Sequence, residues 1–419
     1  MLVVLAKFGS PQSVGKYVFS LSIVVPILSF GTMKTRLVQA TDSKQEFFFR
    51  DYLGLRIITT LIASMVVFVI IYIFDYQRET ALVIIAVAIA KAFESISDII
   101  YGLLQRNERM DRVSKSLLIR GPLALIALSL GMYVTGSVFW GTLSLAIVYA
   151  GVLFAYDTPN AAAVIRSQSE AGRAFGNVNS THKIQRPFFD KQVLMKLAWL
   201  ALPLAFVVTM DSLRTSIPRY FIIGYSGEYD LGIFATMAYL KKAGNIIIVA
   251  LGLAATPRLA NYYASCCSLR YRKLLLRMVA FGLLVGAGGV MVCTVAGPQI
   301  MTLLYGPEYA AFNDVLILIM LAAAIDFVAT FLDYGINAAR YFKVQVPLLA
   351  AVLGSAALAC YWLIPTHGIR GAALAVVLST LVRLGITLGV VIHALRTMHN
   401  ASSASLKSLP ERTDRVSPA

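Results

Sequence analysis

Polar sequence is what this chain has least of. Charged residues make up 14% of its 419 positions, against roughly a quarter in a soluble domain. One polar stretch of any length, Thr158 to Lys191, interrupts the apolar runs, so no segment can form a soluble catalytic domain. Cysteine is scarce as well. Of the four, Cys266 and Cys267 are adjacent in a loop and Cys293 and Cys360 fall in separate apolar runs, which gives no disulfide framework and leaves reduced, structural thiols. The four histidines have no ligand spacing; His393 and His399 sit near one helix end, and no metal is read from them. A Walker loop and a Gly-rich dinucleotide fingerprint are both missing. These absences argue against an enzyme, and no cofactor is expected.

What the chain does have is hydrophobic length. Apolar residues make up 58% of it, and mean hydropathy is +0.74. Runs of about 20 residues, enough to cross a hydrocarbon core of roughly 30 Å, recur near 17–39, 52–74, 81–104, 117–134, 138–157, 193–216, 231–255, 274–297, 314–337, 346–364 and 371–393. The fold class expected is therefore an all-α polytopic membrane protein with eleven complete spans. Met1–Phe8 is too short to span and makes a poor signal peptide; it reads as the stump of a first span, with a misplaced start codon as one cause.

The formal charge of +16 could point to nucleic acid, but its distribution does not. With the loop from Thr41 to Arg50 on the cytoplasmic side, the inside loops collect Arg106, Arg109, Arg112, Lys115, Arg270, Arg272 and Lys273 among others, and the outside loops hold only Arg78, Arg219 and Arg370. That is the positive-inside pattern, with some attraction to anionic lipid, and nucleic acid is not an expected partner.

The polar stretch divides the chain into similar halves. "SVGKYVFSLSIVV" from Ser13 resembles "DLGIFATMAYLKK" from Asp230, "YGLLQRNER" from Tyr101 matches "YGINAARYF" from Tyr334, and "WGTLSLAIV" from Trp140 matches "RGAALAVVL" from Arg370. The three offsets are nearly equal and in the same order, which signals an internal repeat. With the first span restored, each half holds six helices. The organisation read from this is an N-terminal lobe 1–157, a cytoplasmic linker 158–191, a C-terminal lobe 192–398 and a disordered cytoplasmic tail 399–419. Two pseudo-symmetric lobes of this kind hold substrate between them and alternate access by rocking.

Four segments carry a family resemblance: "FRDYLGLRIITTLIA", "LLQRNERMDRVSKSLLIRG", "SIPRYFIIGYSGEYDLGIF" and "ATPRLANYY". Together they resemble the oligosaccharide repeat-unit (Wzx-like) flippases of the multidrug/oligosaccharidyl-lipid/polysaccharide (MOP) exporter superfamily, over nearly the whole chain. The resemblance implies a two-lobed bundle in the bacterial inner membrane. It also implies translocation of undecaprenyl-pyrophosphate-linked sugars for surface polysaccharide, whether lipopolysaccharide O-antigen, capsule or exopolysaccharide. The partners implied are the lipid-linked oligosaccharide, the bilayer, and polysaccharide polymerase and chain-length regulator proteins.

The candidate site residues are charges inside the spans. Lys91, Glu94 and Asp98 share one helical face in an apolar run, and Gln105 continues it. Each mid-membrane charge costs about 2.5–3.5 kcal/mol, so the stripe should face the bundle or a wet cavity. One reading is a Lys91–Glu94 ion pair with Asp98 bonded to a neighbouring helix. The other makes Glu94 or Asp98 an ion-coupling acid, since like charges at this spacing favour one proton. A helix-end position is the third. Further along lie Arg36, next to Lys34 at a helix end where both could snorkel, Asp211 with Arg214, the adjacent Lys241 and Lys242, and Asp326 with Asp333 on one face. Arg36, Arg214, Lys241 and Lys242 are expected to form a cationic pocket between the lobes for an anionic headgroup, with Asp211 holding Arg214 when the pocket is empty. Glu94, Asp98, Asp211, Asp326 and Asp333 are the ion-coupling candidates, Asp326 and Asp333 alternatively serving as helix–helix acceptors. Pro203, Pro257 and Pro347 fit bent helices equally in moving and static bundles. Two other functions compete with the flippase: a small-molecule multidrug exporter of the same superfamily, and a membrane-embedded polymerase or ligase, against which the short outside loops argue.

Overall fold

The computed structural model describes residues 1–42, 46–174, 189–265, 267–339, 341 and 344–407. These contain helices and connecting turns and no strand. In order they are α1 (Leu2–Phe8), α2 (Pro11–Thr32), α3 (Thr35–Thr41), α4 (Phe49–Ile73), α5 (Arg78–Arg106), α6 (Met110–Thr135) and α7 (Val138–Val152). A π-turn, Leu153–Asp157, joins α7 to α8 (Thr158–Ala174), followed by α9 (Lys191–Tyr225), α10 (Gly227–Ala264), α11 (Ser268–Leu304), α12 (Pro307–Ala310), α13 (Asn313–Ala338) and α14 (Gln345–Lys407). Among the described residues, nine helical stretches are long and apolar enough to cross a membrane. The last of them bends at Gly368, whose φ of 53° breaks α14 into two helices, and α5, at 29 residues, has spanning length as well. The described residues thus supply the eleven spans expected, and the protein is an all-α, multi-pass membrane protein.

The helices overrun the apolar runs that announce them. The run 193–216 lies in a helix of 35 residues and the run 231–255 in one of 38. Hydropathy marks only the part in hydrocarbon, but intrahelical hydrogen bonding carries the backbone on into the headgroup region. Residues 175–188 of the linker, the tail beyond residue 407 and Cys266 lie outside the described residues; the linker's first part, Thr158–Ala174, is helical.

The chain forms two compact units. One is Met1–Thr236 with Met301–Tyr309 and Cys360–Ala372; the other is Met237–Ile300, Ala310–Ala359 and Ala373–Ala419. In the first, α2 is the hub and packs on α4, α5 and α9. α4 shows how the sequence sets a helix in lipid. Leu61, Met65, Phe68 and Tyr72 form an exposed apolar stripe, and Tyr52, Arg56, Thr60, Ala63 and Val67 form the buried face. Apolar residues meet lipid and the polar ones turn inward, because only the interior offers hydrogen-bond partners. The second unit packs around Ile248, Tyr271, Leu275, Phe327, Phe331 and Leu332. There the ring of Phe327 lies on Gly244 and that of Phe331 on Gly282, the close approach that small residues allow between membrane helices.

Candidate functional site

In the first unit, the polar face of α5 gathers arginines from three other helices. Asp98 accepts a hydrogen bond on each oxygen: Arg36 Nη1 of α3 at 3.2 Å on Oδ1, and Arg56 Nη2 of α4 at 3.3 Å on Oδ2. Arg36 also donates through Nε and Nη2 to Gln105 Oε1 at 3.3 and 3.2 Å. Arg56 is fully buried and donates further to Thr35 Oγ1 at 2.8 Å and Ser95 Oγ at 3.3 Å. One turn along, Glu94 accepts from Lys91 Nζ at 2.6 Å and from Arg120 Nη2 of α6 at 3.3 Å. Arg36 and Arg120 both lie over the ring of Tyr101, at 5.6 and 5.9 Å from its centroid, and Arg120 also faces Tyr149 at 5.0 Å. Tyr101 thereby links the two clusters.

The stripe of Lys91, Glu94 and Asp98 takes the arrangement of the first reading: an i, i+3 ion pair, with Asp98 bonded to neighbouring helices. It is not sealed. The side chains of Arg36, Lys91, Glu94 and Asp98 are each 31–35% exposed, so the pairs are open on one side to whatever fills the space beside them. An ion pair in that position costs less than bare charges and can still exchange partners.

A second arrangement of this kind stands in the other unit. Arg383, from α14, donates to Asp326 through Nη1 and to Asp333 through Nη2, both on α13. Lys241 Nζ of α10 lies 2.5 Å from Asp326 Oδ2. The seven-residue separation of Asp326 and Asp333 places both on one helical face, where one guanidinium fork reaches both. Lys242, exposed, has its Nζ 3.9 Å from the Tyr239 ring centroid. Arg214 of α9, in the first unit, bonds Asp211 at 3.3 Å through Nη2. Arg36, Lys91 and Lys241 thus each face a carboxylate, as Arg214 does.

Four residues that bind within these clusters or beside them are missing from the sequence reading: Arg56, Arg120, Arg383, and Asp157, which accepts from Ser116 and Tyr101. The first three were detectable, since each is a lone cation in an apolar run, the same criterion that picks out Lys241. Asp157 stands at the polar end of its run and gives no such signal.

At the ends that the loop charges assign to the outer face, Glu228 of α10 accepts from Thr80 Oγ1 at 2.8 Å and from Gln12 Nε2 at 3.3 Å. Lys16 lies 4.0 Å from Glu228 and also pairs with Glu79. Beside this contact is a cavity of about 920 Å³ lined mainly by apolar groups, among them Phe19, Ile23, Ile27, Ile70, Phe74 and Tyr220. Burial raises the phenol of Tyr76 on its rim above the usual tyrosine range.

Long apolar helices with polar, ion-paired inner faces define a multi-pass membrane bundle. A solved transporter of the MOP exporter superfamily shares this fold. The chain superposes on the inward-facing conformation of a MATE family multidrug resistance transporter of that superfamily with a TM-score of 0.73 and 12% identity, covering 96% of this chain and 94% of the other. It superposes on the lipid II flippase MurJ with a TM-score of 0.71 and 12% identity, covering 96% and 89%. In sequence it is 27% identical over 398 residues to the capsular polysaccharide biosynthesis protein CapF of Staphylococcus aureus, covering 92% of each. No protein-family model matches the chain.

Proposed function

We propose that this protein is a flippase of the bacterial inner membrane. It carries undecaprenyl-pyrophosphate-linked oligosaccharide units from the cytoplasmic to the outer leaflet for surface polysaccharide. The observation that carries this reading is the set of part-exposed cations inside the spans, Arg36, Lys91 and Lys241, each held by a carboxylate. An anionic headgroup crossing hydrocarbon needs fixed cations, and pyrophosphate oxygens compete directly with the carboxylates for them. The relative in capsular polysaccharide biosynthesis supports the same cargo, and the apolar cavity near the outer ends has the chemistry that a polyprenyl chain needs.

In this reading Arg36, Arg214, Lys241 and Lys242 meet the headgroup, with Asp211 releasing Arg214 to it. Glu94, Asp98, Asp326 and Asp333 couple ion movement to the exchange of partners. Two lobes, 1–157 and 192–398, alternate access around a cytoplasmic linker, and polymerase and chain-length regulator proteins take the product. The small-molecule exporter is the second reading, favoured by the fold shared with multidrug transporters; deep lysines fit cationic drugs poorly.

The test replaces Lys241, Lys242 and Arg214 singly with Gln and measures polysaccharide export at matched membrane expression. A charge-assisted hydrogen bond to phosphate contributes about 1.5–3 kcal/mol, so export should fall roughly ten- to a hundredfold for at least one lysine. Arg214→Lys should keep part of its activity, because Lys cannot make the bidentate contact. Full export by the Lys241→Gln/Lys242→Gln double variant would move the assignment to the small-molecule exporter.

A further inference from the structure

One carboxyl in the first unit differs from the others. Glu94 and Asp98 each accept from two basic groups. Asp157, 1% exposed, is bonded only by hydroxyls among the described residues, with Ser116 Oγ at 2.6 Å on Oδ1 and Tyr101 OH at 3.5 Å on Oδ2. Tyr101 and Ser116 are themselves 2.7 Å apart. Asp157 also closes the π-turn between α7 and α8. Such turns are rare, and they occur frequently where a helix serves a function rather than simply spans.

Arg120 supplies the second observation. Its Nη2 bonds Glu94, but its Nη1 is buried with no partner among the described residues. Ser116, which bonds Asp157, lies one turn before Arg120 on α6, and Arg120 is near enough for its charge to act on Asp157. The guanidinium thus has one arm bonded to Glu94 and one buried arm unmet, one turn from the serine that bonds Asp157.

We propose that Asp157 is a proton-binding site, and that Arg120 passes between Glu94 and Asp157 according to whether Asp157 holds its proton. With the proton on, Asp157 is neutral, the hydroxyls satisfy it, and Arg120 stays with Glu94. When the O–H bond breaks and the proton leaves to water on the side of α8, Asp157 becomes a carboxylate. Arg120, still charged, then turns its free arm to it. Glu94 keeps Lys91, so neither carboxylate is left bare, which would cost several kcal/mol in this medium. The movement draws Arg120 across Tyr101, whose other face-on cation is Arg36 of the Asp98 cluster, so the two clusters sense one proton.

The groups around Asp157 are these. From α5 come Tyr101 and Ser97, and from α6 come Ser116 and Arg120. Arg112, also on α6, is engaged with the Asn160 carbonyl at 3.4 Å. On α7, Tyr149 lies against Arg120. No cation is bonded to Asp157 among the described residues. The device is independent of the cargo, and it works the same for a lipid-linked sugar or a small molecule.

The test is infrared difference spectroscopy on the full chain in lipid nanodiscs, between acidic and mildly alkaline buffer. The wild type should lose a protonated-carboxyl C=O band as pH rises. The band should be absent at both ends in Asp157→Asn and persist at both ends in Arg120→Gln, where the cation that rewards ionisation is gone. Glu94→Gln should retain the band. In transport assays Asp157→Asn should flatten the pH profile, whereas a merely structural loss would lower export equally at every pH. A wild-type band in Asp157→Asn, or an unchanged band transition in Arg120→Gln, overturns the proposal. If Asp157→Asn does not accumulate, the Arg120→Gln spectrum decides alone.

Discussion

Gly15 of α2 and Gly232 of α10 occupy equivalent places in one helix crossing. The backbone carbonyl of Glu228 fills the space where a Gly15 side chain would stand, and the carbonyl of Pro11 fills that of Gly232. Glu228 precedes Gly232 by as many residues as Pro11 precedes Gly15, and the two glycines also align in the internal repeat, in "SVGKYVF" and "DLGIFAT". The repeat is thus visible as a self-complementary contact between backbones, with Lys16, Gln12 and Thr80 gathered around Glu228 beside it. Backbone cannot give way as a flexible side chain does, so Gly15→Ala and Gly232→Ala should each cost about 1–3 kcal/mol. Once the first methyl has parted the helices, the second should cost less, with a coupling of roughly 0.5 kcal/mol or more. Thermal melts of the two single variants and the double would show this; strict additivity would mean the two glycines do not share one contact.

Asp98 should matter more to folding than either cation nearest the solvent. In Asp98→Asn, Arg56 stays fully buried with only the Thr35 and Ser95 hydroxyls and a weaker amide acceptor, and removal of one member of a buried pair costs about 3–5 kcal/mol. Arg36→Gln leaves Asp98 still held by Arg56 and should cost well under half as much. The melting temperatures in nanodiscs should rank accordingly, and the reverse order would show that Arg56 draws its stability from elsewhere.

Arg383 is expected to be the least replaceable residue of the second unit. Arg383→Gln takes from Asp326 and Asp333 the guanidinium that bridges them, and Arg383→Lys offers a point charge where a fork spans two carboxylates. Both variants should lower folded yield. Pairing Arg383→Gln with Asp333→Asn should recover part of the loss, because it removes one of the two carboxylates that lose the guanidinium. Size-exclusion chromatography of fluorescent fusions would measure this, and a double variant no better than Arg383→Gln would rule out the bridge.

The orientation follows from the loop arginines and lysines. Phosphatase fused at Gln168 or after Pro418 should be inactive and a fluorescent reporter at the same places bright, since both positions are assigned to the cytoplasm. High phosphatase activity at either place would invert the topology.

The spans were legible because apolar length is a local property, and so was the i, i+3 pair of Lys91 and Glu94. Partners drawn from distant helices were not. Asp98 and Arg56 are separated by 42 positions, Arg383 and Asp326 by 57, and no periodicity within one helix links them. Arg56, Arg120 and Arg383 each stand alone in an apolar run, so a search for clusters of charge passes over them; their cost in hydrocarbon was the signal to use. The π-turn that positions Asp157 has no sequence signature at all. The bend at Gly368 is partly legible, since a positive φ suits glycine, though a glycine in a membrane helix more often marks close packing.

The four-membered set of Lys241, Arg383, Asp326 and Asp333 has an electrical consequence. It carries two positive and two negative charges, so moving it as a body through the transmembrane field transfers no net charge. A single elementary charge crossing 100 mV would be worth about 2.3 kcal/mol; this set contributes none of it. Any voltage dependence arising in the second unit must then come from charges outside this set, such as the exposed Lys242, or from an ion or substrate that moves with it.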